Sequence, residues 1–259
     1  MNKEKSIRQQ AKASLRDSWA VAIAGLLTVF ASFLASFLLF ALLYTISDAS
    51  GLLSLSGWNF FAILIIVISL VSLFMLSPLI NGFQRICYKI SVDSEVDFSE
   101  EFYFFSSTKS YLSAIHFNAI ILLKKFAFFA VALFPFIILC VLRSGTTLNF
   151  LSDDAFNVLF CGLLTLGIAA GILLTVKYLF SEFVFASGEL GTIDEVFEIS
   201  NLIQKKHSRD IRRLVYTFAG WIALCFFVVP VFYVAPYLYT SAATSSKWLF
   251  SLYKAGKMV

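Results

Sequence analysis

No charged residue occurs between Asp48 and Arg85, between Asp154 and Lys177, or between Arg213 and Lys247. Each run exceeds the roughly 18–20 apolar residues that cross a bilayer as a helix. A soluble core of this size does not need so much apolar sequence. The chain is 59% hydrophobic and 14% charged over 259 residues, against about 45–50% and about 25% in a soluble domain. A transmembrane barrel would instead show short alternating strands. The expected fold class is all-α: a polytopic transmembrane helix bundle of about six spans with cytoplasmic amphipathic helices, forming a single integral membrane domain over 1–259.

The first expected span covers about 19–44. It follows a basic N-terminal segment and is too long for the core of a cleaved signal peptide, about 7–15 residues, so it reads as a retained helix. Further spans are expected at about 58–81, 117–142 and 155–180. Lys124 and Lys125 would snorkel near the start of the third. The last uncharged run is one long helix or a hairpin. Pro230 and Pro236 disfavour an uninterrupted helix, and a hairpin gives spans at about 211–229 and 231–252.

Cytoplasmic loops of membrane proteins carry an excess of Lys and Arg. Lys3, Lys5, Arg8, Lys12 and Arg16 precede the first span. Arg85, Lys89 and Lys109 follow the second, and Lys205, Lys206, Arg209, Arg212 and Arg213 follow the fourth. The opposite side has only Arg143. This asymmetry predicts a cytoplasmic N-terminus. Six spans bring Lys247, Lys254 and Lys257 to the same side, whereas five would not.

Amphipathic interfacial helices are expected at about 4–17, 97–113 and 192–206. In the third, Thr192 and Glu195 form a capping box. Ile193, Val196, Phe197, Ser200 and Ile203 then share a face. In the second, Asp97 and Glu100 open a helix that places Phe98, Phe102, Phe105, Leu112 and Ile115 on one side. The first is weaker, with Ile7, Ala11 and Leu15. The chain thus divides into three units of interfacial helix plus hairpin, over about 1–92, 97–186 and 191–255, or is simply a polytopic protein with interfacial helices.

Groups able to do chemistry at membrane depth are few. His116 approaches the third span and His207 lies in a basic cytoplasmic segment. There is no H-E-x-x-H pair, and "RSGTT" around Ser144 lacks a nucleophile elbow. The four cysteines, Cys87, Cys140, Cys161 and Cys225, fit no zinc or redox spacing and read as small hydrophobes. Gly167 and Gly171 form a G-x-x-x-G for packing within the bundle or for dimerisation. Glu182, just past Lys177 and Tyr178, reads as the exit of the fourth span, and Gly188 and Gly191 as an elbow before Thr192. Burial of Glu182 without a partner would instead point to function. No catalytic, cofactor-binding or metal residue is expected, and no cofactor. The chain is not expected to be an enzyme.

Taken in order, several pieces resemble the bacterial integral-membrane family known as domain of unknown function 975. "SIRQQAKASLRDSWAVAI" is similar to its opening pattern at Ile7, Arg8, Ala11, Lys12, Leu15 and Trp19. "SPLINGF" matches at Pro78, Leu79 and Gly82, "DEVFEISNLI" at Glu195 and Ser200, and the final hairpin at Gly220, Trp221, Pro236 and Tyr237. The Pro-Gly pair that the family often has before span four is absent from "DDAFNVLFCGLL". The resemblance implies an uncharacterised cell-membrane protein and carries over no catalytic residue.

The expected function is therefore non-enzymatic, in a bacterial cytoplasmic membrane. The protein would act through partner or lipid binding at the cytoplasmic face. The expected partners are the lipid bilayer, anionic lipid at "KKHSRDIRR", and a second copy or another membrane protein. No nucleic acid is expected, because the net charge of +4 is spread over several segments. The alternative is a transporter or export component for a small or amphiphilic solute. Asn157, Thr165, Ser69, Ser72 and the break at Pro230–Pro236 would line its path.

Overall fold

The first helix, α1 (Lys3–Leu15), is amphipathic, and its apolar positions Ala11 and Leu15 are fully buried. A turn closed by Arg16 N–H to Ala13 O and Ser18 N–H to Leu15 O, both 3.0 Å, leads into α2 (Trp19–Ala49). The structure is a computed structural model. It describes residues 3–49, 66–67, 70–92, 95–144, 153–176, 178–190, 192–218, 220–221 and 229–255, with no strand among them.

A π-helical turn (Ser72–Leu76) runs into α3 (Ser77–Ser91). Pro78 has no N–H to offer Phe74 O one turn back, and the Tyr111 hydroxyl donates to that carbonyl at 3.0 Å. A 3-10 helix (Phe98–Phe105) follows. Then come α4 (Thr108–Ser144), α5 (Asp153–Thr175), α6 (Tyr178–Ser187), α7 (Ile193–Tyr216) and α8 (Val231–Lys254).

Two compact units divide the chain: Met1–Asn118 with Phe180–Val259, and Ala119–Leu179. In the first, Leu15, Ala22, Ile86 and Ile90 form a core that Trp19, Val21, Val96 and Tyr237 flank. Trp19 stacks on Tyr233 of α8 with ring centroids 4.9 Å apart. In the second, α4 and α5 pack through the glycine motif. A Cβ on Gly171 would lie 2.4 Å from the Phe129 ring, and one on Gly167 would lie 2.8 Å from Leu133. The G-x-x-x-G is therefore used inside the chain.

Three stretches are long and apolar enough to cross a bilayer: Trp19–Leu42, Thr108–Arg143 and Asp154–Ser187, with mean hydropathy 2.3, 2.5 and 2.3. Only 6% of the residues in the most apolar window of each of the first two are buried. Such wide apolar exposure suits lipid rather than water, and it is compatible with a membrane protein. Of the other expected spans, 58–81 and 211–229 each lie partly outside the described residues. The one at 231–252 is helical as α8, but its middle, Thr240–Ser246, is small and polar and is buried in the first unit. Thr244 and Ser246 bond back to the carbonyls of Thr240 and Ala242, both at 2.8 Å, which satisfies their hydroxyls within the helix.

The single helix expected over 97–113 is corrected. It breaks at Ser106–Ser107, where the Ser107 hydroxyl accepts from Ser110 N–H at 3.1 Å and opens α4. The piece before the break is 3-10, with three residues per turn. Its buried residues are Glu101 and Phe104. Phe102 and Phe105 lie exposed beside Phe98, so these three share a side as expected, while Ile115, expected with them, is buried in α4. The expected helix at 192–206 is present but runs on to Tyr216, with a kink at His207 (φ −120°, ψ 18°).

Candidate functional site

The 3-10 segment seats its Glu101 against two glycines. Glu101's carbonyl oxygen would lie 1.9 Å from a Cβ on Gly82, so only a glycine in α3 allows this approach. One carboxyl oxygen of Glu101 would lie 2.8 Å from a Cβ on Gly25 of α2, next to Phe83 and Ile86. The side chain is 0% exposed, and neither carboxyl oxygen has a hydrogen-bond partner. Burial pushes its pKa up from 4.5 to about 8. A buried, unpaired carboxylate costs several kcal/mol, roughly, so the group is a neutral acid near pH 7.

The preceding residue, Glu100, is treated in the opposite way. It accepts from Arg85 Nε at 2.8 Å and is paired with Lys89. Burial pushes its pKa up, but the hydrogen bonds from Lys89 and Arg85 outweigh this and hold it below the usual value. Arg85 also donates to the carbonyls of Ala186 (3.1 Å) and Ser187 (3.2 Å) at the C-terminal end of α6. Its guanidinium lies 3.7 Å from the Tyr103 ring centroid. One side chain thus ties α3, the 3-10 helix and the C-terminus of α6 together. Gly188 then turns the chain with φ +71°, the left-handed cap that the elbow reading expects; Gly191 lies outside the described residues.

Glu182 is corrected from an interfacial exit marker to a buried residue. It is 7% exposed and lies between Ser181 and Phe183, both buried, because α6 is packed inside the first unit. It is not alone: Gln84 Nε2 donates to it at 2.8 Å. Glu189 accepts from the Tyr88 hydroxyl at 2.9 Å and pairs with Lys254. Burial raises its pKa, but the hydrogen bonds from Lys254 and Tyr88 dominate and lower it. For Tyr88, burial and Glu189 both push the phenol up.

On α7 the Thr192 hydroxyl accepts from Glu195 N–H at 3.3 Å, as the capping-box reading expects. Val196, Ile199, Ser200, Ile203, Ile211, Leu214 and, just beyond, Phe218 are buried. Lys205, Lys206, Arg209, Arg212 and Arg213 are all exposed. The kink divides them: Lys205 and Lys206 precede it, and Arg209, Arg212 and Arg213 follow it, each off the buried positions of its own stretch. His207 sits at the kink, with Nδ1 3.2 Å from Asp210 and its ring edge-on to Trp248.

The other residues singled out are scattered. His116, Asn157 and Thr165 are exposed, and the Thr165 hydroxyl is engaged by Cys161 O at 2.7 Å. Cys87 is buried, Cys140 is half-buried and Cys161 is exposed. Ser69, Cys225 and the side chains of Ser72 and Ser144 lie outside the described residues. Pro230 precedes α8 and Pro236 lies in its first turns.

Comparison with known protein families, curated proteins and solved structures finds no match. Some residues of the motif pieces are buried in the first unit, whereas Lys12, Glu195 and Trp221 are exposed. Ala11, Leu15, Pro78, Leu79 and Ser200 are buried, Gly82 admits Glu101, and the Tyr237 hydroxyl donates to Arg8 O at 3.3 Å.

Proposed function

We propose that this is a multi-pass, non-enzymatic protein of a bacterial cytoplasmic membrane, with both termini cytoplasmic, and that it acts by binding anionic lipid headgroups through α7. The carrying observation is the two-faced build of that helix. Its apolar side is buried in the first unit, and its five cations are exposed, with Arg213 also 3.9 Å from Glu4 of α1. A basic amphipathic helix beside a membrane is matched to anionic lipid, at about 1 kcal/mol per Lys or Arg near the surface. The exposed aromatics Phe102, Tyr103 and Phe105 fit an interfacial position for the same region. We also propose kinship with the domain of unknown function 975 family. That rests on the motif pieces, and the burial of Ala11, Leu15, Pro78, Leu79 and Ser200 supports it.

The test is lipid retention. The purified protein is extracted from nanodiscs of mixed phosphatidylglycerol and phosphatidylcholine, and bound lipid is counted by native mass spectrometry. The wild type retains phosphatidylglycerol. The variant with Lys205, Lys206, Arg209, Arg212 and Arg213 all changed to Gln loses that preference. Equal retention by both would overturn the reading. For topology, a cysteine introduced by Ser251→Cys, an exposed α8 site, reacts with an impermeant maleimide only after the cytoplasmic side is opened. Labelling of intact cells would exclude cytoplasmic termini.

A further inference from the structure

We propose that Glu101 is a protonation site: the neutral acid holds the 3-10 segment seated between α2 and α3, and loss of its proton releases that segment. The geometry leaves little alternative. The carboxyl is wholly enclosed, both oxygens lack partners, and the residue is wedged against Gly25 and Gly82. An ionised carboxylate there has no donor to take the place of water. The surrounding charges do not supply one. On α3, Arg85 and Lys89 are turned to Glu100. Cys87, also on α3, is kept neutral chiefly by burial, and a charge on Glu101 would raise its pKa further. On the segment itself Glu100 adds like charge, and Tyr103 lies under Arg85. The described part of α2 that meets the segment brings Gly25 and no charged group. Phe104, the other buried residue of the segment, stacks on Phe185 with centroids 5.4 Å apart and leaves with it.

The direction follows from linkage. The seated pKa lies above the free value of 4.5, at about 8. The contribution to seating is complete below the free value and is lost as pH rises through the seated one. The released population thus rises about tenfold per pH unit between these values and levels off above about pH 8. Over this range Glu100 stays ionised and holds its bridges, so the response belongs to Glu101.

Hydrogen exchange of the full chain in nanodiscs tests this, with rates over residues 98–105 corrected for intrinsic pH dependence. In the wild type, opening should climb with pH and then flatten. In Glu101→Gln, which keeps shape and removes the proton, opening should be level across the range. Glu100→Gln should loosen the segment yet retain the slope. Equal slopes in the wild type and Glu101→Gln would overturn the proposal. Should Glu101→Gln fail to fold, infrared titration in a Glu182→Gln background decides. A protonated-carboxyl band surviving at pH 7 supports the proposal, and its absence there refutes it.

Discussion

Neighbouring residues of one type meet opposite fates here. Glu100 is ion-paired at the surface of the first unit, while Glu101, one position on, is enclosed and neutral. The glycine that permits this is exacting. Gly82→Ala would drive a methyl into the Glu101 carbonyl, and overpacking against backbone costs about 1–3 kcal/mol or more. A lowered thermal midpoint in detergent should show it. Arg85→Lys keeps the charge but loses the planar fork that reaches Glu100 and two α6 carbonyls at once. A loss of about 1.5–3 kcal/mol is expected, the range for hydrogen bonds to charged groups, read by chemical denaturation. On the acid side, Glu100 and Glu189 have lowered pKa values. Their stabilisation is present above about 4.5 and is lost as pH falls through the lowered values. Denaturation of Glu100→Gln should therefore depend less on pH below 5 than that of the wild type.

Elements differ in how plainly their sequences announce them. Thr192 with Glu195, followed by the helical recurrence of Ile193, Val196, Phe197, Ser200 and Ile203, is a local signal, and α7 forms there with Val196, Ser200 and Ile203 buried. Thr192→Ala should cost about 1 kcal/mol and speed amide exchange in the first turn of α7 alone. The stretch at 97–113 reads as one α-helix because its aromatics also recur at helical spacing. A 3-10 helix buries every third residue, and the choice between the two periods is made by tertiary contact with Gly25 and Gly82, far off in sequence. The burial of Glu182 is hidden in the sequence for a related reason. Its partner, Gln84, lies 98 positions away, so nothing near it in the chain indicates that it is held inside.

At the level of the whole molecule, composition and charge-free runs made the all-helical class legible, along with three helices fit for a bilayer. Those properties depend on sums over many residues, which local errors barely disturb. The place of α8 was less legible. Its expected range is helical, but a small polar centre packs inside the first unit, and hydropathy does not show what a helix leans on. In the second unit Gly171 is the contact to challenge. Gly171→Ile would force its side chain onto Phe129, and crosslinking of cysteine pairs placed in α4 and α5 should fall.

The 3-10 segment "FSEEFYFF" also contains a second phrasing of itself. A slip of one residue would bury Glu100 with Tyr103 in place of Glu101 with Phe104, an acid and an aromatic in either frame. The slipped frame would bring a phenol hydroxyl into the place where Phe104 meets the apolar face of Phe185. It would also strip Arg85 of both Glu100 and the Tyr103 ring. Arg85 therefore helps proofread the alignment: the segment is spelled ambiguously, and the guanidinium, Lys89 and the Phe185 ring together favour the spelling that is kept.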